Sequence, residues 1–413
     1  MKKITTFFLQ DFYKKKDKHQ EIIEVIQIEP SGNLIKDIIT ILKWAINNNK
    51  KEILLINDKA DATFSIPLKG VNNLLGSFLQ NDICCLLLDI EADNVIPISE
   101  KLMLAENVSL INSCIILENV FETLLENLQS VNDVEVSFDF TSLIGLICPH
   151  KFVWSSKTNI QDEEMIHIIS PFRNCEMFLE ETICSVLSQN YSNFNIYFID
   201  DNSNDNSFYK IPDNAKIIKK RNDGRRNSLY NVCNTIIEQS FNPDSIICIL
   251  DGDDCLSHPY VLQIINSYYK LRKETLATYG GLTIKDRVLD YVASKYSFTE
   301  FSEIRKSKWK IFPFRTFKAK LFYKYLEIDP NMGYMKDSEG QFFEMTSDMA
   351  LMFSLFELCE YDNVIHIDCP LYNYRLHSFN DHIVNRNLQF VTEKDIRNRK
   401  RLPIMFNTNQ VKL

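Results

Sequence analysis

The sequence predicts an α/β protein in which a mostly parallel sheet is flanked by helices and preceded by a smaller N-terminal α/β domain. Three observations carry that expectation. From residue 165 onward, apolar runs of strand length alternate with amphipathic stretches of helix length. Several of those runs end abruptly in polar or acidic residues. Upstream, a second alternation of the same kind is set off by a polar stretch without periodicity. Strands joined by crossover helices make parallel sheets buried on both faces, and such sheets take ligands beyond the carboxyl ends of their strands. At 413 residues the chain also exceeds the ~250–300 at which a single core stops growing, so two domains or one elaborated domain are expected.

Residues 1–155 form the first zone. The stretch 34–47 has helical spacing of apolar residues, while 52–56 and 84–90 are short apolar runs of strand length. Asp89-Ile90-Glu91-Ala92-Asp93 reads as an acidic loop at a strand end, with only a faint echo of a metal-binding corner. Residues 156–164 read as a linker. Beyond it, 166–169 is expected as a strand, 177–189 as a helix, 194–199 and 216–219 as strands, 228–239 as a helix and 246–250 as a strand. From about residue 279 to 385 the chain is richer in aromatic and basic side chains, and 391–413 reads as a charged helix or a frayed tail.

Composition narrows the function classes. With 45% hydrophobic and 24% charged residues the chain builds cores rather than staying disordered. Its net charge of -9 repels a polyanion, so nucleic acid is set aside as a partner. Eleven cysteines without a Cys-x-x-Cys pair read as small core hydrophobes in a reducing compartment, which makes the cytoplasm the expected location. No run reaches the ~18–20 apolar residues of a membrane span, and the amino terminus lacks the pattern of a signal peptide. Lys14-Lys15-Lys16 with Lys18 reads as a solvated face, with peripheral contact to an anionic membrane as the other reading. An oligomer is compatible with all of this.

Polar clusters follow three of the expected strands. Asp251-Gly252-Asp253-Asp254 follows Ile246 to Leu250. Three carboxylates at the mouth of a buried strand repel one another, which a divalent cation with oxygen preference relieves, and Gly252 leaves room for a phosphate. Taken alone, the motif fits an exposed acidic turn equally well. Asp200-Asp201-Asn202-Ser203 ends a second apolar run, where a carboxylate is placed to accept from a nucleobase imide or a ribose hydroxyl. Capping explains Asp205 and Ser207 in the following turn but not the acidic pair. The third cluster is Ser170-Pro171-Phe172-Arg173-Asn174.

Together with the helix from Phe178 to Gln189, these clusters in this order resemble the family-2 glycosyltransferases of the GT-A fold, over roughly a quarter of the chain. The resemblance implies a Rossmann-like GT-A domain at 165–390, with a donor half at 165–270 and an acceptor half at 271–390. It implies that Pro171, Phe172 and Arg173 pack around the base and that Asp201 reads it, with Asp200 supporting the loop. It further implies that Asp251 faces the ribose and the metal, Asp253 the metal and Asp254 the sugar. The stretch from Lys220 to Asn231 resembles the family's Asn-rich loop, one residue off its commonest form. Asn222, Arg225 and Arg226 of that loop, at a helix amino end, are then placed for a diphosphate.

On the acceptor side, Ser347-Asp348 stands where the family usually has Glu-Asp, so Asp348 is the expected general base and the preceding Glu is missing. The alternative for Asp348 is a helix cap. Tyr374-Arg375-Leu376-His377 resembles the family's closing Tyr-Arg-x-His element, which makes His377 the expected last metal ligand and His382 the second candidate. His258 fits a helix start and His366 a strand. Trp309 and Arg315 are read as acceptor platform or as core packing. The implied activity is transfer of a sugar from a nucleotide sugar, a UDP-sugar foremost, to an acceptor hydroxyl with inversion, dependent on Mn2+ or Mg2+. The acceptor classes are a glycan, a glycoprotein or a lipid-linked sugar. Two other readings stand beside it. A sugar nucleotidyltransferase would want a glycine-rich basic loop after the first strand of the catalytic half, and none is there. A non-catalytic sugar-nucleotide-binding scaffold would explain the missing Glu.

Overall fold

The computed structural model describes residues 4–7, 25–26, 34–50, 52–57, 85–99, 102–117, 120–132, 151–154, 162–284, 287–377 and 386–406. The chain divides into two compact units, 1–161 with 286–290, and 162–285 with 291–413. His382 and the lysines 14–16 and 18 lie outside the described residues.

The first unit has strands β1 (Ile4–Phe7), β2 (Val25–Ile26), β3 (Glu52–Asn57), β4 (Cys85–Ser99), β5 (Leu102–Leu117) and β6 (Phe152–Trp154), with helices α1 (Leu34–Asn47) and α2 (Phe121–Asn132). Its sheet runs β2-β1-β3-β5-β4-β6. On α1, Ile38, Ile41, Leu42 and Ala45 recur at helical spacing and are buried with Ile53 and Leu55 of β3, Cys114 and Ile116 of β5, and Leu124 and Leu128 of α2. Two expectations are corrected here. Asp89 to Asp93 lies inside β4 rather than in a loop, because register shifts at Leu87/Asp89, Asp89/Ile90 and Glu91/Ala92 keep the acidic stretch paired with β5. The cysteines are also not uniformly free: Cys85 is disulfide-bonded, whereas eight other described cysteines are free.

The second unit continues with β7 (Ile166–Phe172), α3 (Leu179–Leu187), β8 (Phe194–Asp200), β9 (Ile217–Arg221), α4 (Ser228–Gln239), β10 (Ile246–Ile249), β11 (Cys255–Leu256) and α5 (Val261–Leu271). There follow β12 (Ala277–Ile284), β13 (Arg287–Val292, whose residues 287–290 are grouped with the first unit), α6 (Phe298–Ser302), β14 (Phe312–Lys318), α7 (Ala319–Ile328), α8 (Ser347–Phe356), β15 (Val364–Tyr374) and α9 (Arg386–Asn398). The main path of its sheet is β11-β15-β12-β14-β10-β7-β8-β9. The expected α/β class is what forms, with the parallel pairs β10–β7, β7–β8 and β8–β9 on one side and antiparallel β14 inserted beyond β10.

Burial explains that arrangement. All seven residues of β7 are buried, as a strand covered on both faces requires. Ile246 and Ile247 of β10 are fully buried, each worth about 1.5–3 kcal/mol relative to exposure. α8 is apolar all round from Met349 to Phe356 and lies wholly in the core, which leaves only its amino end, Ser347 and Asp348, to face outward. Because β14 is antiparallel to β10, its first half lies at the carboxyl ends of the parallel strands. β12 is antiparallel to β14 and β15 is parallel to β12, so β15 runs in the sense of β10 and its carboxyl end, Tyr372 to Tyr374, emerges at that same edge.

Candidate active site

Three strand ends build one wall of a cavity of about 760 Å³. β7 ends in Pro171 and Phe172, with Phe172 opposite Asp200 of β8, and β10 passes through Leu250 into Asp251. Gly252 lies so close to β7 that a Cβ would come within 2.3 Å of Phe172 Cβ, so only glycine fits. Thr182 of α3 donates to Gly252 O at 3.1 Å and fixes the corner from below.

Asp201 is buried and its carboxylate accepts four hydrogen bonds, three of them on Oδ1. It accepts from the backbone N–H groups of Arg226 at 2.8 Å and Asn227 at 2.9 Å, and from the side-chain amides of Asn222 and Asn231, both at 3.0 Å. These bonds hold the 222–231 loop, where Asn227 takes a left-handed φ of 68° just before α4. Asp200 is fully buried beside it; Oδ1 accepts from Ser203 N at 2.8 Å, and Oδ2 lies 3.2 Å from Arg221 Nε without hydrogen-bond geometry. α4 has no side-chain cap, and its first residues, Ser228 and Leu229, line the cavity with Arg225.

The acidic corner is braced by the end of β15. Tyr372 Oη donates to Asp251 Oδ2 at 3.3 Å and lies 3.2 Å from Asp251 N. Arg375 donates its backbone N–H to Asp254 Oδ1 at 2.7 Å and its Nε–H to Asp253 O at 2.8 Å. His377 Nε2 stands 2.9 Å from Asp253 Oδ2. Desolvation and the neighbouring Asp253 push the Asp251 carboxyl up to about 6, against the pull of Arg315. Burial, then Asp253 and Asp251, push Asp254 well above the ordinary carboxylate range. The corner therefore carries more negative charge than its own surroundings compensate.

A bound cation would meet that excess. Among the described residues no three His, Cys, Asp or Glu side chains converge as a ligand cage. The adjacent Asp253 and His377 with Asp251 nearby still fit an Mn2+ or Mg2+ ion, which is commonly held by one or two carboxylates while substrate phosphates and water fill the other positions.

The facing wall comes from β14 and the entry to α8. Asp348, at the second position of α8, accepts from Arg315 Nη2 at 2.8 Å through Oδ2 and from Met349 N at 2.8 Å through Oδ1. Arg315 is anchored in turn by donating Nε–H to Ile311 O at 2.9 Å. Trp309 does not line the cavity but packs edge-on against Phe353 at 5.4 Å. Glu344 lines the cavity and pairs with Arg225 of the opposite loop.

The cavity thus gathers Pro171, Phe172, Arg173, Asp201, Arg225 and the run Asp251 to Asp254 with Asp348 and His377. Asp200, Asn222 and Arg226 do not line it; they lie behind the wall or turn away from it. Tyr372, Glu344 and the bracing Arg375 belong to the site beside the residues expected from sequence. Tyr372 and Arg375 stand in the same Leu371–His377 stretch that drew attention to His377, so their spacing was visible; Glu344 three residues before Ser347 carried no signal of its own. His258 precedes α5 with Nδ1 accepting from Tyr260 N at 3.2 Å, and His366 lies in β15.

Comparison with known proteins bears on the same wall. The family model described as glycosyl transferase family 2 matches residues 167–338. No curated protein sequence matches the chain. Among solved structures, the 1–349 fragment of S. aureus TarS in complex with UDP-GlcNAc is similar at 12% identity, over 54% of this chain and 61% of that chain, with a TM-score of 0.40. S. aureus TarS itself gives 12% identity over 56% and 42%, with a TM-score of 0.39. The mannosyltransferase PcManGT from Pyrobaculum calidifontis, in complex with GDP-Man and Mn2+, gives 16% over 59% and 67%, with a TM-score of 0.40. The chain spans less than two thirds of the first two. Asp348 and His377 lie beyond the matched segment, which contains every acid of the strand-end wall and Arg315. The match to glycosyl transferase family 2 over residues 167–338 supports sugar transfer as the activity of this domain.

Proposed function

We propose that the chain moves a sugar from a nucleoside diphosphate sugar, a UDP-sugar foremost, to an acceptor hydroxyl with inversion and with help from Mn2+ or Mg2+. The observation that carries this reading is one cavity with the Asp251–Asp254 corner and His377 on one wall and the Arg315-held Asp348 on the other. On this reading residues 165–390 are the catalytic domain. Phe172 and Pro171 pack against the base, and Arg225 with the uncapped amino end of α4 attracts the diphosphate. Asp253 and His377 hold the cation, with Asp251 beside them. When bound, the cation neutralises the charge that builds on the leaving diphosphate. Asp348 accepts the proton of the acceptor hydroxyl as that oxygen attacks the anomeric carbon from the face opposite the diphosphate. Asp201 supports the site by holding the loop that carries Arg225, so its carboxylate acts through the loop as well as through any contact with the base.

The test is release of free nucleoside diphosphate from a panel of nucleotide sugars in the presence of Mn2+. Asp253→Ala is expected to reduce release by about 10²–10³-fold, the size of effect seen when one group stabilising a developing charge is removed. Release that persists in Asp253→Ala sinks the metal assignment. Pyrophosphate as the product turns the reading toward a nucleotidyltransferase. Tight nucleotide binding without any release leaves the scaffold reading.

A further inference from the structure

We propose that Phe178 is a positioning residue for His377, setting the plane of the imidazole so that Nε2 addresses Asp253 and the cation beside it. The inference rests on the metal reading above and concerns a residue to which that reading gives no role. His377 lies three residues past the end of β15, where no sheet ladder orders it. Its ring nonetheless lies flat on Phe178, with centroids 4.7 Å apart and planes 17° apart. Both ring nitrogens of an imidazole point outward in the ring plane, so whatever fixes that plane confines the lone pair to it, and the Cβ–Cγ bond sets its direction within the plane. With the plane held by Phe178, Nε2 stands 2.9 Å from Asp253 Oδ2.

Phe178 is itself well fixed. It immediately precedes α3, its N–H donates to Cys175 O at 2.9 Å, and its ring lines the cavity. The Arg375 guanidinium sits 4.9 Å from the same ring centroid, while its Nε–H donates to Asp253 O and its Nη2 to Glu181 of α3. One aromatic ring therefore meets both polar side chains that brace Asp253, and the segment Arg375–His377 is held to α3 through it. A ligand imidazole needs an outer partner to fix its orientation, usually a hydrogen bond to the second nitrogen. Ring stacking on Phe178 adds a constraint on the ring plane to whatever meets the second nitrogen.

Binding of Mn2+ to the full-length protein in the presence of UDP, followed by the electron paramagnetic resonance signal of free Mn2+, tests the proposal without an acceptor or turnover. Phe178→Leu is expected to weaken Mn2+ binding by about tenfold, the usual effect of losing an orienting partner, and His377→Ala, which removes the ligand itself, by at least as much. The double variant is expected to be no weaker than His377→Ala alone, and Phe178→Tyr, which keeps the stack, to stay near wild type. Wild-type affinity in Phe178→Leu, or losses that add in the double variant, overturns the proposal. A wild-type protein that binds UDP but takes up no Mn2+ overturns the metal reading instead. Should Phe178→Leu fail to fold, the proton on Cε1 of His377 in the wild-type protein decides. It is expected upfield of an exposed histidine because the imidazole is stacked on the Phe178 ring, and an unshifted resonance overturns the stack.

Discussion

His167 sits in the fully buried strand β7, with its imidazole stacked on Phe241 at 4.0 Å and its Nδ1 without a hydrogen-bond partner. Burial lowers its pKa from the ordinary 6.5 to about 4. Between those values the unfolded chain binds a proton that the folded chain refuses, so folding stability is complete above pH 6.5 and falls as the pH drops toward 4. The loss from this one group is about 2–3 kcal/mol, an order-of-magnitude figure. Urea unfolding from pH 7 to 4 is expected to show His167→Phe losing less stability than wild type by that amount; parallel curves for the two proteins rule the effect out. Such an orphaned side chain is invisible in sequence, where His167 merely interrupts an apolar run. The acids of the site are the opposite case. Asp251, Asp253 and Asp254 stand out because they follow five apolar residues without transition, and a strand end needs no partner to be recognised. What they touch was not legible: Tyr372 meets Asp251 across 121 residues of chain, and Asp201 spends its carboxylate on a loop more than twenty residues away.

At the scale of elements, α8 and α9 are tied by a buried ion pair. Arg305 donates Nε–H and Nη2–H to the two carboxylate oxygens of Glu357, at 2.7 and 2.8 Å, and its Nη1–H to Ile396 O of α9 at 2.7 Å. Glu357 Oε2 also accepts from Leu402 N at 3.0 Å. Both side chains are almost fully buried, so removal of one leaves the other charged and unpaired. Glu357→Ala is therefore expected to cost about 3–5 kcal/mol and to release the segment from α9 to Leu402 first, because that segment depends on Glu357 for a backbone partner. Limited proteolysis with mass spectrometry checks this; cleavage confined to other segments would contradict it. Elements of this unit were read well from periodicity where the pattern is regular: α4 occupies the expected 228–239, and β7, β8 and β10 differ from expectation by a few residues at most. Reading failed where pairing overrides pattern. β4 continues through the acidic stretch to Ser99 because bulges let it follow β5, and no periodicity announces a bulge. The 391–413 stretch, read as a charged helix or frayed tail, sends Ile396 and Leu402 into the core, a contact that two apolar residues in a charged context do not advertise.

At the scale of the whole molecule, each unit has a core cluster among its described residues: in the first around α1, α2, β3 and β5, in the second around β10, α4, α7 and α8. Compact units of one chain commonly unfold as separate cooperative blocks, so a single two-state transition is not the expectation for this chain. Calorimetry is expected to resolve two transitions. The proposed site lies wholly within residues 171–389, so a ligand of that site stabilises one block by mass action and leaves the other untouched. At a UDP concentration of about 100 times Kd with Mn2+ present, the gain is about 2.7 kcal/mol, which moves the melting point of a block of this size by about 5–10 °C. Asp253→Ala is expected to abolish the part of that shift that depends on Mn2+ while keeping both transitions. A ligand that raises both melting points together would instead mean that the blocks are coupled, and the first 155 residues would then belong to the donor-binding equilibrium rather than stand apart from it.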